Sequence, residues 1–267
     1  MSYTGFKNVL VDVTDHIATV TLNRPDTRNA CTMDVHEELI DIWHKIGRDE
    51  NIRAVVFTGA GKAFSAGGDI TKMKERFGTP LNVQHCLRTP GHTRRMWEAL
   101  FTVEQPVICA INGDAMGLGC SLALFCDITV IADDARIGDT HTRMGMVAGD
   151  GGAVVFPVLL GLAKARDFLM RSKVVLGKEA AEIGLCNYSV PREEVLAEAT
   201  KIAAELAEMP GWAIRWTKLA VNKALRHQFN LAFDVAMPYE MMSMQHDDFG
   251  EAANAFLDKR KPVFNQE

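Results

Sequence analysis

Two glycine-rich segments limit what this chain can fold into more than any other feature. One is Phe64-Ser65-Ala66-Gly67-Gly68-Asp69, and the other is Asn112-Gly113-Asp114-Ala115-Met116-Gly117-Leu118-Gly119-Cys120-Ser121. Each follows a β-branched or apolar run and opens into a helical pattern, as strand-to-helix junctions of a layered α/β domain do. Small residues at such junctions let a substrate approach the backbone closely. The start of a helix also leaves N–H groups without intrahelical partners, aimed at negative charge. Two such junctions converging on one oxygen would form an oxyanion hole.

The rest of the chain supports an α/β reading. Residues 8–13 and 16–22 alternate Val, Leu, Ile and Thr as a strand pair does, and residues 23–26 end it. Residues 32–49 predict a helix, with Val35, Leu39, Ile42 and Ile46 on one face. Segments 54–58, 106–111 and 128–132 read as buried strands, with a short strand at 136–137. Helices are expected after residue 69, from 121, over 154–170 and over 180–183. From residue 193 the pattern is helical, over 193–209, 213–227, 231–245 and 249–259. A soft boundary near residue 205 divides an expected core, 1–205, from a helical C-terminal region, 206–267. Met237, Met241, Met242 and Met244 read either as core or as an adaptable subunit interface.

Composition bounds the function. The formal net charge is −5 over 267 residues, and no Lys/Arg cluster is interleaved with aromatics, which argues against nucleic-acid binding. Residues 1–11 lack a secretory pattern, and the longest apolar stretch, 152–163, contains Pro157 and is too short to span a bilayer. The six cysteines, at 31, 86, 109, 120, 126 and 186, form no CxxC, so reduced, buried thiols in a cytoplasmic protein are expected. The eight histidines form no HxxxH or HExxH, and no metal site is expected.

Three motifs fail on inspection. Gly59-Ala60-Gly61-Lys62 lacks the Gly and Ser/Thr of a phosphate loop, because Val56 and Ala63 stand there. Gly113, Gly117 and Gly119 do not follow the dinucleotide order. Gly119-Cys120-Ser121-Leu122-Ala123 approaches a nucleophile elbow, but His141 precedes Asp150, against the hydrolase order.

With both junctions located, the chain resembles the crotonase (enoyl-CoA hydratase/isomerase) superfamily over nearly its whole length. Leu22-Asn23-Arg24-Pro25 with Arg28-Asn29-Ala30 looks like the first CoA-contacting turn of that family. Ala66-Gly67-Gly68-Asp69-Ile70 and Ile111 through Cys120 look like its two oxyanion elements. Gly184-Leu185 and the stretch from Phe256 to Pro262 match later features. The resemblance implies an α/β spiral of strand-strand-helix units with a helical trimerisation region, assembled as a trimer or dimer of trimers. It implies no permanently bound cofactor, with coenzyme A entering as part of a thioester substrate. It places the enolate-stabilising N–H groups on Gly68 and Leu118, and CoA contacts on Arg28, Ala30, Ala66, Gly67, Asp69, Ile70 and Lys259.

The chain departs from the family at the acid–base positions. The two glutamates of the hydratases fall on Ser121 and His141, so two-carboxylate water addition cannot run in the usual way. His141 followed by Asp150 is similar to the β-diketone hydrolases of this fold, the 6-oxocamphor hydrolase type. A neutral His141 would then act as base, with Asp150 fixing its tautomer. Bland roles stand beside these: a buried structural histidine, a helix-capping Asp150 and a small helix-start Ser121. His92, Arg94 and Arg95 read as a solvated face. Three functions remain open: an acyl-CoA enzyme, a CoA-independent cyclic β-diketone hydrolase, and a catalytically silent binding homologue.

Overall fold

The structure, a computed structural model, describes residues 1–264. The chain opens with an antiparallel pair, β1 (Val9–Thr14) and β2 (Ile17–Leu22). Helix α1 (Met33–Arg48) follows, burying Val35, Leu39, Ile42, Trp43 and Ile46 along one face. Then a unit recurs. β3 (Ala54–Gly59) and β4 (Ala63–Ser65) lead to α2 (Ile70–Arg76) and α3 (Pro80–Phe101). β5 (Val107–Ile111) and β6 (Asp114–Met116) lead to α4 (Leu118–Leu124). β7 (Ile128–Ala132) and β8 (Arg136–Gly138) lead, through a loop, to α5 (Gly152–Met170). β9 (Val175–Leu176), α6 (Gly177–Glu182) and β10 (Tyr188–Val190) complete the core, before α7 (Val195–Glu208), α8 (Gly211–Ser243) and α9 (Asp247–Leu257).

In each unit the first strand joins one sheet and the second joins another. The larger sheet has six strands in the order β1-β2-β3-β5-β7-β10, and the smaller has four, β4-β6-β8-β9. Neighbours in the larger sheet run parallel except β1 with β2. Parallel strands covered on both faces need apolar side chains on both, and every residue of β3 and β5 is buried. This is the expected spiral of strand-strand-helix turns. It stacks the ends of β4, β6 and β8, so the junctions that follow them meet in space.

The expected boundary near residue 205 falls inside α7, which packs on β3, β5 and β7. Beyond it, α8 differs from expectation. The two helices expected over 213–227 and 231–245 are one continuous helix of 33 residues that passes through Pro238. The intervening residues contain no breaker, and Phe229 stacks on Phe233 at 4.6 Å and meets Phe101 edge-on at 5.2 Å. Burial of these rings carries the helix through. The expected 154–170 helix starts at Gly152 and kinks at Gly161, whose φ is 72°. Positions 265–267 of the expected C-terminal region lie outside the described residues. All six cysteines are unpaired, with Cys31, Cys109, Cys120 and Cys186 buried. Among the described residues no helix is long and apolar enough to cross a membrane.

Candidate active site

The two glycine-rich junctions pack directly on each other because β4 and β6 are parallel neighbours. Gly67 has φ +85°, and a Cβ there would lie 2.5 Å from Met116 O and 3.3 Å from Leu118 N. Only glycine serves at this contact, on both conformational and steric grounds. Leu118 is the first residue of α4, whose N-cap is Gly117 with φ 51° and no side-chain cap. Its N–H therefore has no intrahelical acceptor. Gly68 N–H has no backbone acceptor among the described residues. Both residues border one cavity of about 870 Å³. The Leu118 side chain, which has to be accommodated beside this opening, joins the hydrophobic core.

A buried polar chain reaches the same cavity from the β8 side. Asp139 lies just beyond β8, and its Oδ1 accepts from His141 N–H at 3.0 Å and lies 2.7 Å from His141 Nδ1. His141 Nε2 lies 3.1 Å from Asp150 Oδ2. Ser121, on α4, donates its hydroxyl to Asp150 Oδ1 at 3.1 Å, and Trp97 Nε1–H donates to Asp150 O at 2.7 Å. Asp139, His141 and Asp150 offer ligand-type atoms within 4.8 Å of one another, already joined by these hydrogen bonds. Among the described residues Asp139 Oδ2 is buried without a partner beside Gly152, the first residue of α5, where a Cβ would collide with it. The α5 N-terminus favours the negative charge there.

Glu240, on α8, borders the same cavity. Its Oε2 accepts from Gly149 N–H at 3.1 Å, one residue from Asp150. Burial pushes its carboxyl up to about 8, and Asp150 and Asp139 push the same way against the opposing pull of His141. Burial works against a charged His141, but Asp139 and Asp150 outweigh it and hold the imidazole well above its ordinary value. Both ring nitrogens of His141 face carboxylates, Asp139 on Nδ1 and Asp150 on Nε2, an arrangement that favours the charged imidazole over the neutral base expected from the sequence.

The cavity wall gathers many of the expected residues and leaves others out. Gly68, Leu118, His141 and Asp150 border it, as do Arg28, Ala66, Asp69 and Ile70. Ser121, Ala30, Gly67 and Lys259 are not on the wall. Ser121 is fully buried behind Asp150 and bonds that carboxylate, not His141, so the nucleophile-elbow alternative has no serine–histidine pair. The Ala30 carbonyl accepts from the Arg24 guanidinium. Asp69 caps α2 through Lys72 N–H at 3.1 Å. Lys259 sits past α9 with φ 55°.

One surface reading is revised, and the methionine stripe divides between core and surface. His92 is not on a solvated face; it is 5% exposed and stacks on His36 at 5.6 Å. Arg94 pairs with Asp234 of α8 at 2.7 Å. Met237, Met241 and Met244 are buried and border the cavity, while Met242 is exposed. Sequence reasoning assigned no role to Asp139, Trp97 or Glu240. A carboxylate two positions before His141 was a usable signal for Asp139. A lone acid within the methionine stripe at 237–244 was one for Glu240.

The sequence profile of the enoyl-CoA hydratase/isomerase family matches residues 12–267. A probable enoyl-CoA hydratase of Mycobacterium bovis is 31% identical over 97% of this chain and 98% of its own length. A crotonyl-CoA hydratase of Syntrophomonas wolfei is 30% identical over 97% and 98%. Among solved structures, an enoyl-CoA hydratase/isomerase from Mycobacterium paratuberculosis superposes with a TM-score of 0.86 at 33% identity, covering 92% of this chain and 97% of that one. Shared sequence over almost the full length, and the shared spiral of paired strands and helices, make this chain a member of the enoyl-CoA hydratase/isomerase family.

Proposed function

We propose that this chain is an enzyme that binds an acyl-CoA thioester with its carbonyl between the Gly68 and Leu118 N–H groups. Its proton transfers run through Asp150, backed by His141, Asp139 and Ser121. One observation carries the reading: Gly68 and Leu118 of the two junctions and the Asp150–His141 pair border the same cavity. The names of the relatives, hydratases of enoyl-CoA and crotonyl-CoA, support a thioester as the ligand.

The N–H groups stabilise charge that develops on the thioester oxygen as an enolate forms. Asp150 is oriented through one oxygen by Ser121 and through the other by His141. The His141 imidazolium offsets the mutual repulsion of the surrounding carboxylates. Glu240 keeps its proton up to about pH 8, and so supplies an acid opposite the base.

With Ser121 and His141 at the usual glutamate positions, we infer hydrolysis of a β-keto acyl group in preference to ordinary hydration. Water gives a proton to Asp150 as its oxygen bonds the keto carbon. The adduct collapses, the bond to the α-carbon breaks, and its electron pair becomes the thioester enolate. Glu240 protonates the α-carbon. The products are a carboxylic acid and a shortened acyl-CoA.

The test supplies 3-ketohexanoyl-CoA and crotonyl-CoA to the purified protein. Butyrate and acetyl-CoA should form without added CoA, crotonyl-CoA hydration should be slow, and Asp150→Asn should lower kcat about 100-fold or more. Crotonyl-CoA turnover that His141→Ala leaves unchanged would defeat the dyad. Absence of heat with any thioester, combined with opening of a free cyclic β-diketone, moves the assignment to a CoA-independent hydrolase. Inactivity with both substrate classes favours a silent binding homologue.

A further inference from the structure

The cavity has a second polar end that the proposed chemistry does not use. Arg76, in the last turn of α2, and His85, on α3, both border it, with Arg76 Nη2 3.3 Å from His85 Nε2. His36, on α1, borders the same space and is 6% exposed. Its Nδ1 is buried without a partner among the described residues, and so is Arg76 Nε. Thr89 and Thr93 continue the wall along α3.

The charge at this end comes from Arg76. Burial, reinforced by neighbouring cationic and imidazole groups, pushes His36 down to about 3 and His85 down to about 4, so both rings are neutral near pH 7. Arg76 forms no ion pair among the described residues. The two carboxylates that act on it from farther away are engaged elsewhere: Asp69 lies 3.8 Å from Arg24, and Glu75 lies 2.9 Å from Lys72. A half-buried guanidinium with no counter-charge is costly to keep, and a ligand that brings an anion removes that cost.

The position of Arg76 indicates which part of the ligand meets it. α2 starts beside the Gly68 junction and rises about 1.5 Å per residue, which carries Arg76 about 9 Å beyond Ile70. Met73, Met241 and Met244 border the cavity along with Arg76. An apolar wall of this kind suits methylene groups rather than pantetheine amides or phosphates.

We propose that Arg76, with His85 beside it and His36 on the same wall, binds a carboxylate at the far end of the acyl group. The substrate class is then a short dicarboxylic acyl thioester. This rests on the thioester reading above and narrows it. Arginine is suited to the task because its planar donors meet both oxygens of a carboxylate.

Calorimetric titration of the full chain compares glutaryl-CoA with valeryl-CoA, and adipyl-CoA with hexanoyl-CoA. The dicarboxylic member of at least one pair should bind at least about tenfold tighter. Arg76→Gln should bring the two affinities together, and Arg76→Lys should retain part of the difference. If the monocarboxylic thioesters bind and the dicarboxylic ones bind no better, this proposal is overturned while the thioester reading stands. A preference that survives in R76Q overturns it equally. If no thioester binds, both fall. The wild-type comparison decides the matter even if a variant fails to fold.

Discussion

At the residue scale, the site is a set of carboxyl groups made unequal by their surroundings. Asp150 has a hydroxyl and an imidazole on its oxygens. Glu240 has one backbone N–H, and burial with the nearby Asp150 and Asp139 pushes it up to about 8. That difference carries a consequence for stability. In the unfolded chain Glu240 loses its proton near its ordinary value of 4.5, whereas in the folded protein it holds it to about 8. A raised folded value means stability that is complete below about pH 4.5 and is lost progressively as pH rises toward 8. Glu240→Gln should therefore flatten the decline of urea stability between those pH values. An unchanged slope in that variant would mean that Glu240 ionises normally in the fold.

At the element scale, the long helix α8 is the member whose length was least legible. Its apolar residues do not hold one helical stripe, which is why residues 213–227 and 231–245 read as separate helices. The aromatic cluster of Phe101, Phe229 and Phe233, with Arg94 lying over the Phe229 ring at 5.1 Å, joins the middle of α8 to α3. Phe229→Ala should cost about 3–5 kcal/mol in equilibrium unfolding, the range for a buried ring whose neighbours relax incompletely. A loss below about 1 kcal/mol, the scale of a surface substitution, would show that the cluster does not anchor the helix.

At the scale of the whole molecule, the outward face of α8 stays apolar. Trp212, Trp216, Val221, Leu231, Val235, Tyr239 and Met242 are all more than half exposed, and Trp212 and Trp216 lie together at 5.6 Å. Apolar surface of this extent along one helix is unusual on a solitary chain. Sedimentation should therefore find an oligomer, and Trp216→Glu together with Val235→Glu should shift it toward the monomer. A wild-type protein that sediments as a monomer at micromolar concentration would remove the expected trimer or dimer of trimers.

The sequence by itself determined the local and repetitive features. The apolar period of α1, the buried runs of β3, β5 and β7, and the glycine pattern at residues 66–69 and 112–121 are all short-range, so they could be read along the chain. The pairing of His141 with Asp150 was legible for the same reason, since both lie in one loop. What only the tertiary structure decided is how distant segments load that loop. Ser121 and Trp97 bond Asp150 from α4 and α3, and α8 brings Glu240 over Gly149 from far along the chain. Within that packed setting the adjacent carboxylates of Asp139 and Asp150 raise the His141 imidazole above its ordinary value. The physical reason is that a proton's position depends on the field of every nearby charge and on exclusion of water, and neither is set until the chain is folded.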